Sequence, residues 1–428
     1  MSTEHTMVIV GASLAGGRAA ETLRNDGFTG PVILIGAEAE IPYERPPLSK
    51  DYLMGKHGRE KLYFQPRGWY AEHDVDLRLG TTVTGIDRAA HEVTLSAVPA
   101  GSAVPAGSAV PAGSGGERLG YSRLLLSTGS SPRRVPVPGA DLDGVLYLRS
   151  VGDSDRLKTA IENASRVAVI GAGWIGLETA AAARTAGAEV TVLEMAELPL
   201  LRVLGREVAE VFARLHAEHG VDLRFGIQVA EITGSNGTVT GVSLADGTHV
   251  DADAVIVGVG ITPNTELASA AGLTVDDGVV TDARLQTSDP DIFAAGDVAN
   301  AFHPLFGRHV RVEHWANARH QPVTAAKAML GQDVSYDRVP YFYTDQYDLG
   351  MEYAGYVEPG AYREVVFRGD VPGREFIAFW LAGDGRVLAG MNVNIWDVNE
   401  SIAALVRAKT PVSVDALKDA SVPLESLA

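Results

Sequence analysis

The 428-residue sequence contains no cysteine. Disulfide bonds, iron–sulfur ligation by the chain itself, cysteine nucleophiles and redox-active dithiols are therefore excluded. A protein that uses no thiol chemistry fits a reducing cytosol, and a cytoplasmic location is the expectation.

Positive charge and long apolar runs are also scarce. The sequence has 36 Lys and Arg against 54 Asp and Glu, a formal net charge of -18, which argues against general binding to nucleic acid or anionic membranes. No apolar run approaches the roughly 18 residues of a membrane-spanning helix, and the first six residues lack the basic start of a signal peptide. We therefore expect no nucleic-acid partner and no membrane association.

Two glycine-rich turns dominate what is present. Each follows an apolar run that predicts a strand, at 7–10 and 167–170, and each opens an alanine-rich run that predicts a helix. In such a turn the glycines allow a tight bend, close approach of a pyrophosphate, and helix–strand packing. The phosphate lies at the helix N-terminus. The predicted dinucleotide contacts are Gly11, Ser13, Leu14, Ala15 and Gly16 in the first turn, and Gly171, Gly173, Trp174, Ile175 and Gly176 in the second.

The two turns differ in quality. The second fits G-x-G-x-x-G in full, whereas Ser13 stands at the middle position of the first. Its hydroxyl either shifts the phosphate slightly or donates to it. Two turns with these flanks predict two dinucleotides held together, so that a hydride can pass between them.

An acid after the second strand of each unit is the candidate partner of the adenosine ribose hydroxyls. Glu194 follows the strand predicted at 189–193, and it would repel a 2′-phosphate, which favours NAD over NADP. In the first unit the strand predicted at 31–35 is followed by Ala37 and Glu38, one residue later than the ideal position. The alternative for either glutamate is a solvated strand end.

The order of predicted elements gives an α/β fold with two Rossmann-like dinucleotide-binding domains and a C-terminal α+β domain. We expect an FAD-binding domain at 1–146 and 254–328, an NAD-binding domain at 147–253 and the C-terminal domain at 329–428. Short strands are predicted at 238–244 and 249–257. Three near-identical six-residue repeats within 98–116 predict a flexible insertion in a hairpin between strands at 91–96 and 121–127.

Over nearly its whole length the chain resembles the flavin-dependent ferredoxin reductases of bacterial oxygenase and cytochrome P450 electron-transfer chains. These are relatives of the mitochondrial apoptosis-inducing factor. The most specific segments are residues 42–50, 127–133, 258–264 and 291–298. The resemblance implies a two-dinucleotide flavoprotein of the glutathione-reductase-like architecture, with FAD at the first turn, NADH at the second, and a monomer or weak dimer.

The same resemblance assigns further site residues. Lys50 is implied to lie near flavin N5 and to pair with Glu178, and a cation there would stabilise charge on reduced flavin. Lys50 and Glu178 are therefore the candidate catalytic residues. The remaining implied contacts to FAD are Arg45, Val83, Thr128, Gly129, Arg133, Asp297, Val298, Trp315 and Tyr343, and those to NAD are Glu178, Arg202 and Gly260.

Several of these assignments have alternatives. Asp297 could instead cap a helix, and Trp174 could either cover the flavin until nicotinamide displaces it or simply pack in its loop. Tyr343 stands where relatives often carry tryptophan, so a stacking role there is in doubt. Histidines 303, 309, 314 and 320 are not spaced as a metal-binding face, and no metal is expected.

The resemblance implies a ferredoxin–NAD(+) reductase that passes hydride from NADH to flavin N5. Single electrons then go to a [2Fe–2S] ferredoxin that serves a cytochrome P450 or ring-hydroxylating oxygenase. Without cysteine, the electrons must leave directly from flavin. The alternatives are an NADH oxidase or quinone reductase, and an NADH-sensing interaction flavoprotein.

Overall fold

The computed structural model describes residues 5–97, 116–358 and 360–428. The chain divides into two compact units: unit 1 comprises Met1–Glu44, Arg59–Ser131 and Ile261–Arg338, and unit 2 comprises Arg45–Gly58, Pro132–Gly260 and Val339–Ala428. All but the last residue of the 98–116 insertion lies outside the described residues. The division into three domains expected from the sequence stays a prediction.

The helices in the described ranges are α1 (Leu14–Asn25), α2 (Arg67–Glu72), α3 (Val151–Asn163), α4 (Trp174–Thr185), α5 (Leu201–Leu204), α6 (Arg206–Glu218), α7 (Glu266–Ala270), α8 (Trp315–Met329), α9 (Asn399–Ala408) and α10 (Val414–Lys418). Short 3₁₀ turns lie at Pro46–Ser49, Arg59–Lys61 and Leu424–Ser426. Among these described segments, no helix combines the length and apolar character needed to span a bilayer.

The strands in the same ranges are β1 (Met7–Val10), β2 (Val32–Ile35), β3 (Val75–Arg78), β4 (Thr81–Asp87), β5 (Glu92–Ala97), β6 (Glu117–Gly120), β7 (Arg123–Leu126), β8 (Ser130–Pro132), β9 (Val145–Leu146), β10 (Arg166–Ile170), β11 (Glu189–Glu194), β12 (Asp222–Phe225), β13 (Val229–Ser235), β14 (Thr238–Leu244), β15 (His249–Asp251), β16 (Ala254–Val257), β17 (Ile261–Pro263), β18 (Val279–Thr281), β19 (Ile292–Ala294), β20 (Ala299–His303), β21 (Arg308–Val310), β22 (Tyr341–Gln346), β23 (Leu349–Gly355), β24 (Glu364–Asp370), β25 (Glu375–Leu381) and β26 (Val387–Val393).

Unit 1 is built on a parallel sheet of order β19-β7-β1-β2-β3. Strands β1 and β2 are apolar and buried along their whole length, as expected for a parallel sheet covered on both faces. Residues of α1 and α8 pack on one face. The antiparallel sheet β4-β5-β6 contributes Val83, Val93 and Leu95 to the core on the other.

Unit 2 repeats this plan. Its parallel sheet has the order β12-β11-β10-β16-β9. Helices α4 and α6 pack on one face through Leu177, Phe212 and Leu215. The antiparallel sheet β13-β14-β15 packs on the other face.

Unit 2 also contains the C-terminal antiparallel sheet, of order β22-β23-β26-β25-β24. Helices α9 and α10 follow it in the chain, as the sequence predicts. The indole of Trp380 on β25 is fully buried and donates to the backbone oxygen of Leu204 at 3.0 Å. This sheet therefore shares one apolar core with the dinucleotide-type sheet of unit 2.

Two predicted strands were wrong in their partners or limits. The strand predicted at 249–257 is two strands, because the backbone changes sheets between them: Ala252 N–H donates to Thr240 and Asp253 N–H donates to Arg166. The hairpin partner of β5 is β6, with Leu95 opposite Glu117. Only after β6 does the chain enter β7 of the parallel sheet, so the predicted strand at 121–127 is not the hairpin partner.

Candidate functional site

The predicted site residues of unit 1 converge on one edge of its parallel sheet. The carboxyl ends of parallel strands meet at one edge, where open α/β sheets bind ligands. The first glycine turn follows β1, Ala37 and Glu38 follow β2, Thr128 and Gly129 follow β7, and Asp297 and Val298 follow β19. Val83 is the exception, since its side chain lies in the apolar core on β4.

In unit 2 the carboxyl edge gathers the predicted NAD residues in the same way. The second glycine turn follows β10, Glu194 ends β11, and Gly260 follows β16. The exposed Arg202 lies on the short helix α5, which follows β11 in the chain. The edge therefore has the composition of a dinucleotide site, although the sequence alone could not place Arg202 relative to it.

The outer glycines of both turns are required by packing. A Cβ on Gly11 would lie 2.1 Å from the backbone oxygen of Ser127, and one on Gly171 would lie 2.6 Å from that of Gly258. A Cβ on Gly16 or Gly176 would lie 2.0 Å from the backbone oxygen of the turn's first glycine. These contacts hold strand and helix close together, the role predicted for glycines at these positions.

The middle position is different, and this explains Ser13. A Cβ at Gly173 would meet only the backbone oxygen of Gly258, at an ordinary 3.8 Å. The backbone is extended at both positions, with φ of -107° at Ser13 and -80° at Gly173, which any residue can adopt. The fold itself tolerates a side chain there, so the glycine at 173 leaves open space beside the backbone, as close approach of a ligand would require.

Both helix N-termini fit a pyrophosphate. Within the described residues, α1 and α4 have no side chain capping their first N–H groups and no acidic residue in the first turn. Free N–H groups and the helix dipole favour an anion at this position. The structure thus supports dinucleotide phosphates at both turns.

Glu194 is oriented by the turn that it faces. Its carboxylate accepts hydrogen bonds from the backbone N–H of Ala172 at 2.7 Å and of Ala196 at 2.8 Å. These contacts fix the carboxylate beside the glycine turn, which fits the predicted ribose contact better than a freely solvated strand end.

Two acids in unit 1 are also held by hydroxyl groups that sequence reasoning missed. Glu38 accepts from Tyr43 at 2.5 Å, and Asp297 accepts from Ser130 at 2.8 Å. Tyr43 and Ser130 lie within the segments at 42–50 and 127–133, whose composition was the available signal. The same unit starts α8 at Trp315, whose indole donates to Glu44 at 3.2 Å.

The most strongly constrained group of unit 2 is the carboxylate of Glu178. Glu178 lies on α4 with 4% of its side chain exposed, and Lys50, with 12% exposed, donates to its Oε1 at 2.7 Å. Thr344 on β22 donates to the same oxygen at 2.6 Å, and Ser49 donates to Oε2. The pairing implied by the resemblance is thus present, with two hydroxyl donors that the sequence did not indicate.

Aromatic rings contact Lys50 and the neighbouring Trp174 of the second turn. The ammonium of Lys50 lies 5.6 Å from the centre of the Tyr343 ring, within the range of a cation–π contact. Trp174 packs against Phe212 and Phe342, with ring centres 5.6 and 5.1 Å away. This geometry supports the packing interpretation of Trp174.

The remaining two predicted FAD residues belong to unit 2. Arg45 donates to the backbone oxygen of Arg149. Arg133 is exposed, and its backbone N–H donates to Gly260 at 2.9 Å. Arg45, Lys50, Arg133 and Tyr343 thus all fall in the unit that carries the second turn, and their contacts to FAD stay predictions.

Comparison with known proteins decides the family. Residues 5–321 match the family described as Pyridine nucleotide-disulphide oxidoreductase. The chain belongs to the pyridine nucleotide-disulphide oxidoreductase family. Residues 341–428 also match the Reductase C-terminal family.

Relatives of this oxidoreductase span its full length. The ferredoxin–NAD(+) reductase component of the anthranilate 1,2-dioxygenase system of Burkholderia cepacia is 40% identical over 425 residues, covering 98% of each chain. Putidaredoxin reductase of Pseudomonas putida is 39% identical, covering 100% of this chain and 97% of the relative. The crystal structure of the covalent putidaredoxin reductase–putidaredoxin complex matches with a TM-score of 0.91 and 38% identity, covering 100% of this chain and 98% of that one. The resemblance and the fold class inferred from the sequence are confirmed.

Proposed function

We propose that this oxidoreductase is a ferredoxin–NAD(+) reductase that binds FAD at the glycine turn of unit 1 and NADH at that of unit 2. It oxidises NADH to NAD⁺ and a proton while reducing two molecules of a [2Fe–2S] ferredoxin by one electron each. The ferredoxin in turn serves a cytochrome P450 or a ring-hydroxylating oxygenase. The reaction belongs in the cytoplasm, where the NADH that it consumes is held.

One observation carries this proposal: a ferredoxin–NAD(+) reductase component and a putidaredoxin reductase are similar to 98% and 100% of the chain, at 40% and 39% identity. The sequence contains no cysteine, so the disulfide exchange that gives the family its name has no counterpart here. Bound FAD supplies the conversion of a two-electron hydride into two single-electron transfers. A thiol-free chain with this similarity is suited to that conversion.

The residues of each site have separate roles in this proposal. The free N–H groups of α1 and α4 bind the pyrophosphates, and Glu194 binds the adenosine ribose of NADH and disfavours a 2′-phosphate. Lys50 places a positive charge at the reacting end of the flavin, and Glu178 holds that ammonium in one orientation through their 2.7 Å contact.

The test is anaerobic stopped-flow mixing of the FAD-loaded protein with NADH, followed by mixing with a panel of [2Fe–2S] ferredoxins. We expect NADH to bleach the flavin absorbance rapidly. With cytochrome c added as the final electron acceptor, its reduction should depend on added ferredoxin. NADPH should support much slower bleaching at equal concentration. Equal rates with the two nucleotides would contradict the role of Glu194.

Mixing the NADH-reduced protein with oxygen or a quinone in place of ferredoxin separates the alternative functions. An NADH oxidase or quinone reductase would reoxidise rapidly with oxygen or quinone and gain little from ferredoxin. An NADH-sensing flavoprotein would remain reduced with every acceptor. Either result would overturn the proposed electron transfer to ferredoxin.

A further inference from the structure

A line of hydrogen bonds connects Glu178 to a buried histidine on another helix. Thr344 Oγ1 donates to Glu178 at 2.6 Å, and it accepts from Gln346 Nε2 at 3.3 Å. Gln346 Oε1 lies 2.8 Å from Nε2 of His216, on α6. Glu178, Thr344, Gln346 and His216 are all buried. We refer to Thr344, Gln346 and His216 as the donor chain.

The number of protons on each group determines which partner donates in every hydrogen bond of the donor chain. The hydroxyl of Thr344 has one proton, which it gives to the Glu178 carboxylate, so it can only accept from Gln346. Gln346 must therefore present its NH₂ group to Thr344 and its oxygen to the imidazole. The imidazole must then donate to this oxygen through Nε2, so His216 is assigned as the tautomer that carries its proton on Nε2.

The environment of His216 agrees with that assignment. Its other ring nitrogen, Nδ1, is buried without a partner among the described residues, so it is not the place for the proton. Burial lowers the pKa of His216 from 6.5 to about 4, which keeps the ring neutral at neutral pH. Each group of the donor chain thus donates toward Glu178.

We propose that His216, Gln346 and Thr344 are positioning residues that fix the Glu178 carboxylate, and through it the ammonium of Lys50. The inference rests on the proposed function, in which Lys50 acts at the flavin. A carboxylate with donors on both oxygens has one preferred orientation, and hydrogen bonds that polarise one another strengthen that preference. The residues touch no cofactor in this role and act only through Glu178.

The central test compares Thr344→Val, which keeps the shape but removes the donor, with Thr344→Ser, which keeps the donor. We expect Thr344→Val to slow flavin reduction at saturating NADH by about tenfold, because small misplacement of a reacting group has effects of this size. The dissociation constant for NADH should stay unchanged, and Thr344→Ser should restore the rate.

A second pair cuts the donor chain at its far end. His216→Leu removes the imidazole, whereas His219→Leu changes a histidine at the end of the same helix that stacks on Tyr347 outside the donor chain. We expect slower reduction for His216→Leu and the wild-type rate for His219→Leu. Comparison of His216→Leu with His219→Leu still tests the inference if Thr344→Val does not fold.

A readout independent of turnover is the acetylation rate of Lys50, measured by mass spectrometry with exposed Lys56 as internal reference. Because Glu178 is held less firmly in Thr344→Val and His216→Leu, Lys50 should be acetylated faster in both variants. Wild-type labelling and wild-type reduction rates in a folded Thr344→Val or His216→Leu variant would overturn the inference. If the wild type were not reduced by NADH, the proposed function would fail, but the labelling comparison would still test the donor chain.

Discussion

At the scale of single residues, Lys50 and Glu178 show how burial changes the weight of an ion pair. An exposed pair contributes little because water screens it, whereas a buried charge that loses its partner is strongly unfavourable. With 12% and 4% of their side chains exposed, Lys50 and Glu178 belong to the second class. Lys56 and Asp51, 60% and 44% exposed and 3.3 Å apart, belong to the first.

We therefore expect Lys50→Met to lower the free energy of unfolding by about 3 kcal/mol, because it leaves the carboxylate of Glu178 buried without a cation. Lys56→Met, the matched control, should change it by less than about 0.5 kcal/mol. Urea denaturation of the two variants measures both values. Equal losses would mean that burial of the pair does not determine its contribution.

The residues around Glu178 also mark the limit of sequence reasoning. The family resemblance implied the pairing of Lys50 and Glu178, although the two lie 128 positions apart. It implied no role for Ser49, Thr344 or His216, whose contacts join residues 129, 166 and 130 positions apart in the chain. A hydroxyl or an imidazole far along a chain carries no local signal of the carboxylate that it will meet.

At the scale of elements, each six-residue glycine turn has to meet two requirements, close packing of strand on helix and open space for a ligand. The outer glycines are fixed by contacts within the protein, and the middle one is not. The sequence predicted the turns and their flanking strands because both signals are local. It did not predict the break at 252–253 that separates β15 from β16, because that break depends on hydrogen bonds to Thr240 and Arg166 in other strands.

These requirements separate the effects of two similar substitutions. Gly176→Ala should lower the free energy of unfolding by about 2 kcal/mol, since its Cβ would overlap the Gly171 oxygen. Gly173→Ala should cost less than about 1 kcal/mol of stability. It should raise the KM for NADH about tenfold, the effect of losing about 1.4 kcal/mol of binding.

Thermal denaturation of both proteins and NADH titration of the Gly173→Ala variant provide the measurements. Retained NADH affinity in Gly173→Ala would show that the open space beside residue 173 is not used by the nucleotide.

At the scale of the whole molecule, stability should depend on pH through histidines that stay neutral in the folded chain. Desolvation lowers the pKa values of fully buried His216 and of partly exposed His314 and His320 to about 4. The unfolded chain takes up a proton at each of them near pH 6.5, whereas the folded chain does not. The contribution of these neutral histidines to the free energy of unfolding is therefore complete above about pH 6.5. It is lost progressively as the pH falls toward 4.

For fully buried His216 the loss amounts to about 1.4 kcal/mol for each pH unit between 6.5 and about 4. His216→Gln lacks this contribution, so the stability difference between wild type and variant should shift in favour of the variant as the pH falls. Urea denaturation at neutral and mildly acidic pH measures the shift. A constant difference would show that His216 titrates alike in both states.

The pairing of β5 with β6 has a consequence for how this chain can vary. Leu95 and Glu117 face each other across the ladder, and directly opposed residues of an antiparallel pair lie only about 5 Å apart. The two ends of the intervening segment are therefore held at a fixed distance. Doubling the length of a loop with fixed ends raises the free energy of loop closure by only about 0.6 kcal/mol. Whole six-residue units of the repeat can thus be added or deleted in frame at little thermodynamic cost.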